Sequence, residues 1–221
     1  MTALHPSIAN IPMPPRMRAR PLTPKGFPEL YFAARINGQV DLRVADAAKW
    51  VDCVKHQRCW LCGGRLGKFL SWPIGPMCAI NRVSSEPPSH TDCAIYAMQA
   101  CPFLTRPHMR RREAGMPEDL PEAPGVMLTH NPGAAALWTS THYSVFEAGN
   151  GKLIALGEPE SVNWWTEGRR ATGREVREAI ARGLPRLVEM ARQEGPEAVT
   201  ELGRQIARAA KWIPADETAP A

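Results

Sequence analysis

The sequence predicts an α+β protein in which a β-hairpin and a small cysteine-containing module precede a small antiparallel β-meander and C-terminal helices. Three observations support this prediction: an Asn-Gly pair between two strand-like runs, two pairs of metal-ligand residue types, and short strand-like runs followed by helical patterns. A hydrophobic content of 44% in 221 residues is sufficient for a core, so the chain as a whole is expected to be folded.

The N-terminal end of the chain predicts a tail followed by a hairpin. Residues 1–25 are rich in proline and arginine and are expected to be disordered or extended. The pair Asn37-Gly38 lies between the strand-like runs 31–36 and 39–44. Because both positions of a tight hairpin turn require positive φ, this pair is a strong hairpin signal.

The rest of the N-terminal module, residues 26–105, is expected to contain a helix, two strands and a second helix. Asp46 is the predicted N-cap of a helix over 47–55. Residues 69–80 predict two short strands around a Gly-Pro turn. Ser89 follows two prolines and is the predicted N-cap of a helix that ends near residue 100.

A basic, then acidic, proline-rich connection over 106–124 separates this module from a second unit over 125–213, and residues 214–221 form a predicted disordered tail. The second unit is expected to begin as a meander of short strands. These strands are predicted over 126–130, 135–140, 143–147, 152–156 and 162–165.

The helices of the second unit are predicted from their capping signals. Thr172 and Glu175 form a capping box that opens a helix to about residue 182. The sequence Gly-Leu-Pro over 183–185 is expected to break this helix, and a second helix then runs to about residue 194. Pro196 opens the last helix, in which apolar residues recur at steps of three and four.

The most specific pattern consists of two ligand pairs, Cys59 with Cys62 and His90 with Cys93, each separated by two residues. A Cys-x-x-Cys-Gly turn can direct both thiolates at one ion, and residues three apart in a first helical turn share a face. Four such ligands complete a tetrahedron around Zn²⁺ and leave no position for water or substrate. The pattern therefore predicts a structural zinc site. We call the Cys-x-x-Cys-Gly turn at residues 59–63 the knuckle, and the order of knuckle, hairpin and helix resembles a treble-clef zinc finger over about residues 56–101.

Other cysteines and one histidine are alternative ligands. His56 could replace His90, since Cys53, His56 and Cys59 follow one another at three-residue steps. Cys78 could be a ligand or a buried apolar side chain. Cys101 could join the site only if the chain bends back, and core packing is the other interpretation.

The charge is uneven along the chain. Residues 1–115 contain 16 Lys and Arg against 7 Asp and Glu, a net charge of +9, whereas residues 116–221 carry a net charge of −4. A basic half that carries a zinc site indicates a polyanion such as nucleic acid, and ordinary surface charge is the alternative. The candidate phosphate contacts are Arg82, Arg106, Arg110, Arg111 and Arg112, and Lys68 could extend the same patch.

Three functions fit these patterns, and a zinc-stabilised binding or regulatory protein that contacts nucleic acid is favoured. A protein–protein adaptor would instead dock through the sheet that contains Trp138, Trp164 and Trp165. A metal-dependent nuclease or hydrolase is the third, because treble-clef layouts also occur in ββα-metal nucleases. Against it, such nucleases use a catalytic His beside further metal-binding His or Asn, whereas His90 is already assigned as a ligand here. Motifs of zinc enzymes are also missing from the sequence.

Four motifs together resemble an uncharacterised bacterial protein family with no assigned activity. These motifs are Cys-Trp-Leu-Cys-Gly at 59–63, Gly-Pro-Met-Cys-Ala-Ile-Asn-Arg at 75–82, Glu-Pro-Pro-Ser-His at 86–90 with Cys93, and Cys-Pro-Phe-Leu at 101–104. The resemblance continues through the last helices and covers most of the chain. It implies a bacterial or mobile-element origin and supplies neither catalytic residues nor a substrate.

The sequence also predicts a cytoplasmic protein that does not enter the membrane. Prolines interrupt the first 25 residues, so a secretory segment is not expected, and no window reaches the ~18 apolar residues of a spanning helix. Paired cysteines in such a protein are more often metal ligands than disulfides.

Overall fold

The computed structural model describes residues 3–107, 109–110, 130–149 and 151–215, and its architecture is α+β, as predicted. Its helices are α1 Pro15–Arg18, α2 Ala47–His56, α3 Pro76–Asn81, α4 Thr91–Ala100, α5 Pro102–Thr105, α6 Gly173–Glu194 and α7 Pro196–Ala209. Its strands are β1 Ala33–Ile36, β2 Gln39–Ala45, β3 Leu70–Ile74, β4 Val83–Ser84, β5 Ala135–Ser140, β6 Tyr143–Ala148, β7 Gly151–Leu156, β8 Pro159–Thr166 and β9 Arg169–Arg170. Among the helices described, none combines the length and the apolar character needed to cross a membrane.

The strands form antiparallel sheets that differ from the predicted single meander. Strands β1 and β2 form a hairpin, a second sheet has the order β3-β5-β8-β9, and a third has the order β4-β7-β6. Strand β5 is buried at every position because it lies between β3 and β8, whereas β6 lies at the edge of its sheet and is mostly exposed. The meander prediction is corrected accordingly: β5 and β6 are consecutive in the sequence but belong to different sheets.

The sheets β3-β5-β8-β9 and β4-β7-β6 each contain strands from both of the units that the sequence predicted. Strand β3 pairs with β5 along its whole length, and β4 pairs with β7. Strands from the predicted units 26–105 and 125–213 therefore pair within the same two sheets. Residues 111–124 of the predicted linker, 126–129 of the first predicted strand and 216–221 of the predicted tail lie outside the described residues.

The N-terminal segment also differs from the expectation of a disordered tail. From residue 3 onward it is described, and it contains a 3₁₀ turn at Pro6–Ile8 and helix α1. The side chains of Ile8 and Met17 are each 1% exposed and belong to the main apolar core. Prolines made the segment appear extended, but burial of its few large apolar side chains holds it against the rest of the chain.

Several local predictions are confirmed. Asn37 and Gly38 both have positive φ and form the turn between β1 and β2. The Asp46 carboxylate accepts hydrogen bonds from two backbone N–H groups at the start of α2. Thr172 and Glu175 form the reciprocal bonds of a capping box at the start of α6. Each of these features depends on contacts between residues that are close together in the sequence, so it can be predicted from the sequence alone.

Two predictions of secondary structure are corrected. The second predicted strand in 69–80 is instead helix α3, which has Gly75 as N-cap and Pro76 at its first position. Proline is favoured there because that N–H has no helical partner. Helix α6 continues through the predicted break at 183–185, with Pro185 inside it. A proline costs such a helix about 3 kcal/mol, which the packing of α6 against α3 and α7 offsets.

The capping box generates a prediction about pH. The hydrogen bond from Arg169, together with bonds from Thr172, lowers the pKa of Glu175 from 4.5 to about 2 despite partial burial. Since the folded pKa lies below the unfolded one, this carboxylate stabilises the fold above pH 4.5, and the contribution is lost as pH falls toward 2. We expect Glu175→Gln to lower the free energy of unfolding by up to about 1 kcal/mol at neutral pH, measured by urea denaturation, because glutamine can keep the capping bond but carries no charge to pair with Arg169.

The control for this substitution is Glu178→Gln, at an exposed position of the same helix. It should leave the free energy of unfolding unchanged at both ends of the pH range. A difference between Glu175→Gln and the unchanged chain that does not shrink as pH falls from 7 to 2 would contradict the assignment.

Candidate metal centre

The first ligand pair lies in a tight turn that follows helix α2. The turn is closed by hydrogen bonds from the Gly63 N–H to the Cys59 carbonyl and from the Cys59 N–H to the Gly64 carbonyl, each 2.8 Å long. Gly63 has a φ of +79°, in the left-handed region. This geometry turns the chain back so that Cys59 and Cys62 lie on the same side of the turn.

The second ligand pair lies at the start of helix α4. Ser89 exchanges two backbone hydrogen bonds with Ser71 on β3, at 2.9 and 2.8 Å, which fixes the entry of the chain into the helix. The N-cap is His90 rather than the predicted Ser89, and its side chain does not cap the helix. The imidazole is instead directed toward the cysteines, and Cys93 follows it in the first helical turn.

The structure brings the four predicted ligands together. One ligand atom from each of Cys59, Cys62, His90 and Cys93 lies within 4.8 Å of all the others, and we call this group the Cys3His cluster. The Nδ1 atom of His90 is 3.4 Å from the Cys62 sulfur and 4.0 Å from the Cys93 sulfur. In a tetrahedral zinc site the sulfur-to-nitrogen edge is about 3.6 Å, so these distances are those of a metal-binding arrangement.

A backbone carbonyl fixes which nitrogen of His90 faces the cluster. The Nε2 atom lies 2.9 Å from the carbonyl oxygen of Arg65. Because a carbonyl can only accept a hydrogen bond, Nε2 must donate, and Nδ1 then has a free lone pair. This is the outer-shell contact that orients metal-binding histidines in general.

Backbone N–H groups surround the sulfur atoms. Cys59 Sγ accepts hydrogen bonds from the N–H groups of Cys62 and His90, and Cys62 Sγ accepts one from Gly64, all at 3.4 Å. Such bonds stabilise thiolates, which are the form that binds metal. The three cysteines are buried and His90 is half-buried, so few water molecules could reach the sulfur atoms to donate hydrogen bonds in place of these N–H groups.

The thiols cannot all ionise without a cation. At Cys59 burial disfavours the thiolate, but hydrogen bonds from Cys62, Cys93 and His90 outweigh it and lower the pKa. The hydrogen bond to Cys59 in turn raises the pKa of Cys62 and that of Cys93. Neighbouring like charges disfavour one another, and a divalent cation removes that conflict. The donor set therefore fits a metal ion.

The alternative ligands lie outside this cluster. Cys53 is fully buried, and burial raises its pKa to about 12. Burial also raises the pKa of Cys78 to about 11 and that of Cys101. His56 is about half exposed, and its Nε2 atom lies 3.9 Å from Oδ1 of Asp52. Within the part of the chain that the structure describes, the Cys3His cluster is the group of His, Cys, Asp or Glu side chains that could hold a metal ion.

The layout around the cluster departs from the predicted treble clef in one respect. Between the knuckle and α4, the expected hairpin is replaced by β3, helix α3 and β4, and β3 and β4 belong to different sheets. The isolated bridge between Ser71 and Ser89 retains one hairpin-like contact. The treble-clef assignment therefore stays a prediction.

Sequence reasoning missed Tyr31 as a neighbour of the knuckle. Its N–H donates to the Leu61 carbonyl at 2.8 Å, and its hydroxyl donates to Asp52. A Cβ atom added at Gly63 would lie only 2.5 Å from the Tyr31 ring. The glycine after Cys-x-x-Cys signals the turn, but nothing in the spacing indicates which side chain covers it.

The predicted phosphate contacts are placed in different surroundings. The guanidinium of Arg82 pairs with Glu158 at 2.6 Å and lies over the rings of Trp138 and Trp212, with only 17% of the side chain exposed. Arg82 is thus engaged within the fold.

The remaining predicted contacts follow helix α5. Arg106 and Arg110 are exposed, and Arg110 forms an isolated bridge with His130. Arg111 and Arg112 lie outside the described residues.

The tryptophans of the sheet are mostly occupied within the fold. Trp138 and Trp164 are buried, and the Trp164 indole N–H donates to the Trp212 carbonyl at 2.9 Å. Trp165 is partly buried, with the Arg170 guanidinium 5.4 Å from its ring centre. These contacts support the fold and leave little tryptophan surface for a partner.

Comparison with known proteins adds no homologue: the chain matches no protein-family model, no curated protein and no solved structure. The resemblance to a bacterial family stays a prediction. The geometry of the Cys3His cluster is the observation that indicates metal binding.

The first prediction for the site concerns the ligands. We expect Cys93→Ala to weaken metal binding strongly, because water would have to take the fourth position of the tetrahedron and the helix would lose its link to the knuckle. The matched control is Cys101→Ala, at the other end of the same helix. After dialysis against a chelator, elemental analysis should find metal in the control and little in Cys93→Ala; equal metal content in the two variants would overturn the ligand set.

The second prediction concerns the knuckle turn. Gly63→Ala should lower the free energy of unfolding by about 1–2 kcal/mol or more, because alanine is strained at positive φ and its Cβ would collide with Tyr31. Gly67→Ala is the control, since a Cβ there meets open space. Thermal denaturation of the two variants measures the difference, and equal stabilities would contradict this account of the turn.

Proposed function

We propose that this chain is a zinc-stabilised binding and regulatory protein whose partner is a nucleic acid. The observation that carries the proposal is the Cys3His cluster, in which two distant ligand pairs converge within 4.8 Å. The cluster supplies a fixed scaffold, and the basic half of the chain supplies the charge for a polyanion.

Zinc is the metal that this donor set favours. Three thiolates and an imidazole in tetrahedral order are typical of structural zinc sites. All four positions are filled by the protein, so the ion has no open position for a substrate. Zinc binding of about 10–16 kcal/mol in finger peptides is comparable to the whole stability of a small domain. The ion is therefore assigned to stability rather than to catalysis.

The distribution of charge favours a nucleic acid. The segment 53–85 includes the whole knuckle and contains five Lys and Arg and no acidic residue. Arg58 and Arg82 pair with carboxylates outside the segment, and Lys55, Arg65 and Lys68 supply the rest of its positive charge. Beyond α5, the exposed Arg106 and Arg110 continue in the sequence with Arg111 and Arg112. Arginine binds phosphate through two parallel hydrogen bonds, so this series is suited to a phosphate backbone.

The other two functions have less support. An adaptor that docks through its tryptophans would need exposed rings, but Trp138 and Trp164 are buried. A nuclease of the ββα-metal type would need His90 as a base, whereas Nδ1 faces the cluster and Nε2 bonds to Arg65.

Salt dependence is the test of the proposed function. We expect the intact protein to bind a DNA or RNA oligonucleotide in about 50 mM salt, with an affinity that falls steeply as salt rises, because binding releases counterions from the phosphates. Alanine at Arg106, Arg110, Arg111 and Arg112 should weaken binding for every sequence. Fluorescence anisotropy over a salt series should show a slope reduced by about 0.7–0.9 for each phosphate-binding arginine that is replaced.

The matched control removes the same number of charges from the C-terminal helices, through alanine at the exposed Arg174, Arg186, Arg192 and Arg204. This control should keep the slope of the unchanged protein. If the intact protein shows no binding at low salt, nucleic-acid binding is refuted; if both variants lose affinity equally, the assigned arginines are not the contact.

A further inference from the structure

The segment that follows the zinc knuckle presents an exposed aromatic ring. We call residues 64–69 the knuckle loop. Phe69 at its end is 50% exposed, which is unusual for a side chain of this size. The neighbouring Leu66 and Leu70 are each 8% exposed and anchor the loop in the main core. The ring is therefore exposed on a segment that is fixed at both sides.

The knuckle loop is also basic. The ammonium group of Lys68 lies 5.6 Å from the centre of the Phe69 ring, and Arg65 is exposed in the same loop. Among the described residues, neither Arg65 nor Lys68 forms an ion pair with an acidic side chain. The nearest acidic residues along the chain are Asp52 and Glu86, so no carboxylate in the loop neutralises these cations.

The Cys3His cluster holds the backbone of this loop. The Arg65 carbonyl accepts the hydrogen bond from His90 Nε2, and the Leu66 N–H donates to the Gln57 carbonyl at 2.8 Å. The hydrogen bond between His90 and Arg65 thus connects a residue of the Cys3His cluster directly to the knuckle loop. A surface ordered before binding loses less conformational entropy when it binds.

We infer that the knuckle loop is a stacking platform for single-stranded nucleic acid, with Phe69 against a base and Arg65 and Lys68 against the adjoining phosphates. This inference rests on the proposed function and names the surface and the form of its partner. An exposed ring beside cations is how proteins bind single strands, since every base has a face on which a ring can stack.

A duplex does not offer the same contact. Its bases are stacked on one another, and only their edges face the grooves. A single strand presents base faces to Phe69 and phosphates to Arg65 and Lys68 at once. Single-stranded nucleic acid is therefore the form that this combination of ring and charge fits.

The test uses the whole protein and labelled oligonucleotides of about 12 nucleotides, a length within the usual site size of such proteins, as single strands and as the matching duplex. We expect the single strands to bind more tightly than the duplex. Phe69→Ala should weaken single-strand binding about five-fold to 150-fold, since stacking on one base contributes about 1–3 kcal/mol. Phe69→Trp should bind single strands as tightly as the unchanged protein, because a larger aromatic ring stacks equally well on a base.

Two further variants separate stacking from other effects. Phe146→Ala removes another exposed phenylalanine, at 38% exposure on the edge strand β6, and should leave binding unchanged. Arg65→Ala with Lys68→Ala should reduce the salt slope, whereas Phe69→Ala should leave the slope unchanged. Metal content should be equal in all of these variants, which excludes a loss of fold as the cause.

The outcomes distinguish the two proposals. If the intact protein binds no oligonucleotide at low salt, both fail. If it binds, but prefers the duplex or binds equally well with Phe69→Ala, only the stacking platform fails. Vesicles containing phosphatidylserine serve as a further probe: Phe69-dependent binding to them without single-strand binding would assign the loop to a membrane surface and overturn the inference.

Discussion

The convergence of the two ligand pairs is the constraint on which the rest of this structure depends. Cys62 and His90 are 28 residues apart in the sequence, and β3, α3 and β4 lie between them. Cys59, Cys62 and Cys93 are also members of the main apolar core, together with side chains of the N-terminal segment and of the sheet β3-β5-β8-β9. A metal ion bound here would therefore fix the knuckle, helix α4 and one wall of the core together.

The sequence indicates those parts of the fold that depend on a few adjacent residues. The Asn-Gly hairpin, the Asp46 cap and the capping box at Thr172 are of this kind, because each is made by side chains or turns within one segment. The partners of β3 and β4 could not be predicted, since pairing with β5 and β7 joins residues far apart in the chain. Helix α6 likewise runs through Pro185 because of tertiary packing, which local propensity does not contain.

The candidate site shows the same division. The ligand spacing of Cys59, Cys62, His90 and Cys93 identified the cluster, because the geometry of a tetrahedral ion restricts spacing strongly. The orientation of the imidazole and the ring that covers Gly63 depend on a carbonyl and on Tyr31, which only the folded chain brings near. The charge pattern predicted a partner class but could not show that Arg82 is used inside the fold.

The position of Arg82 has a consequence for how related sequences would be interpreted. Its guanidinium joins Glu158, Trp138 and Trp212, so it ties the end of α3 to the sheet and to the C-terminal residues. Lysine would keep the charge but not the planar fork or the stacking on two indoles. An invariant arginine at this position in an alignment would thus report selection for internal packing, although its place in a basic segment would suggest selection for a ligand.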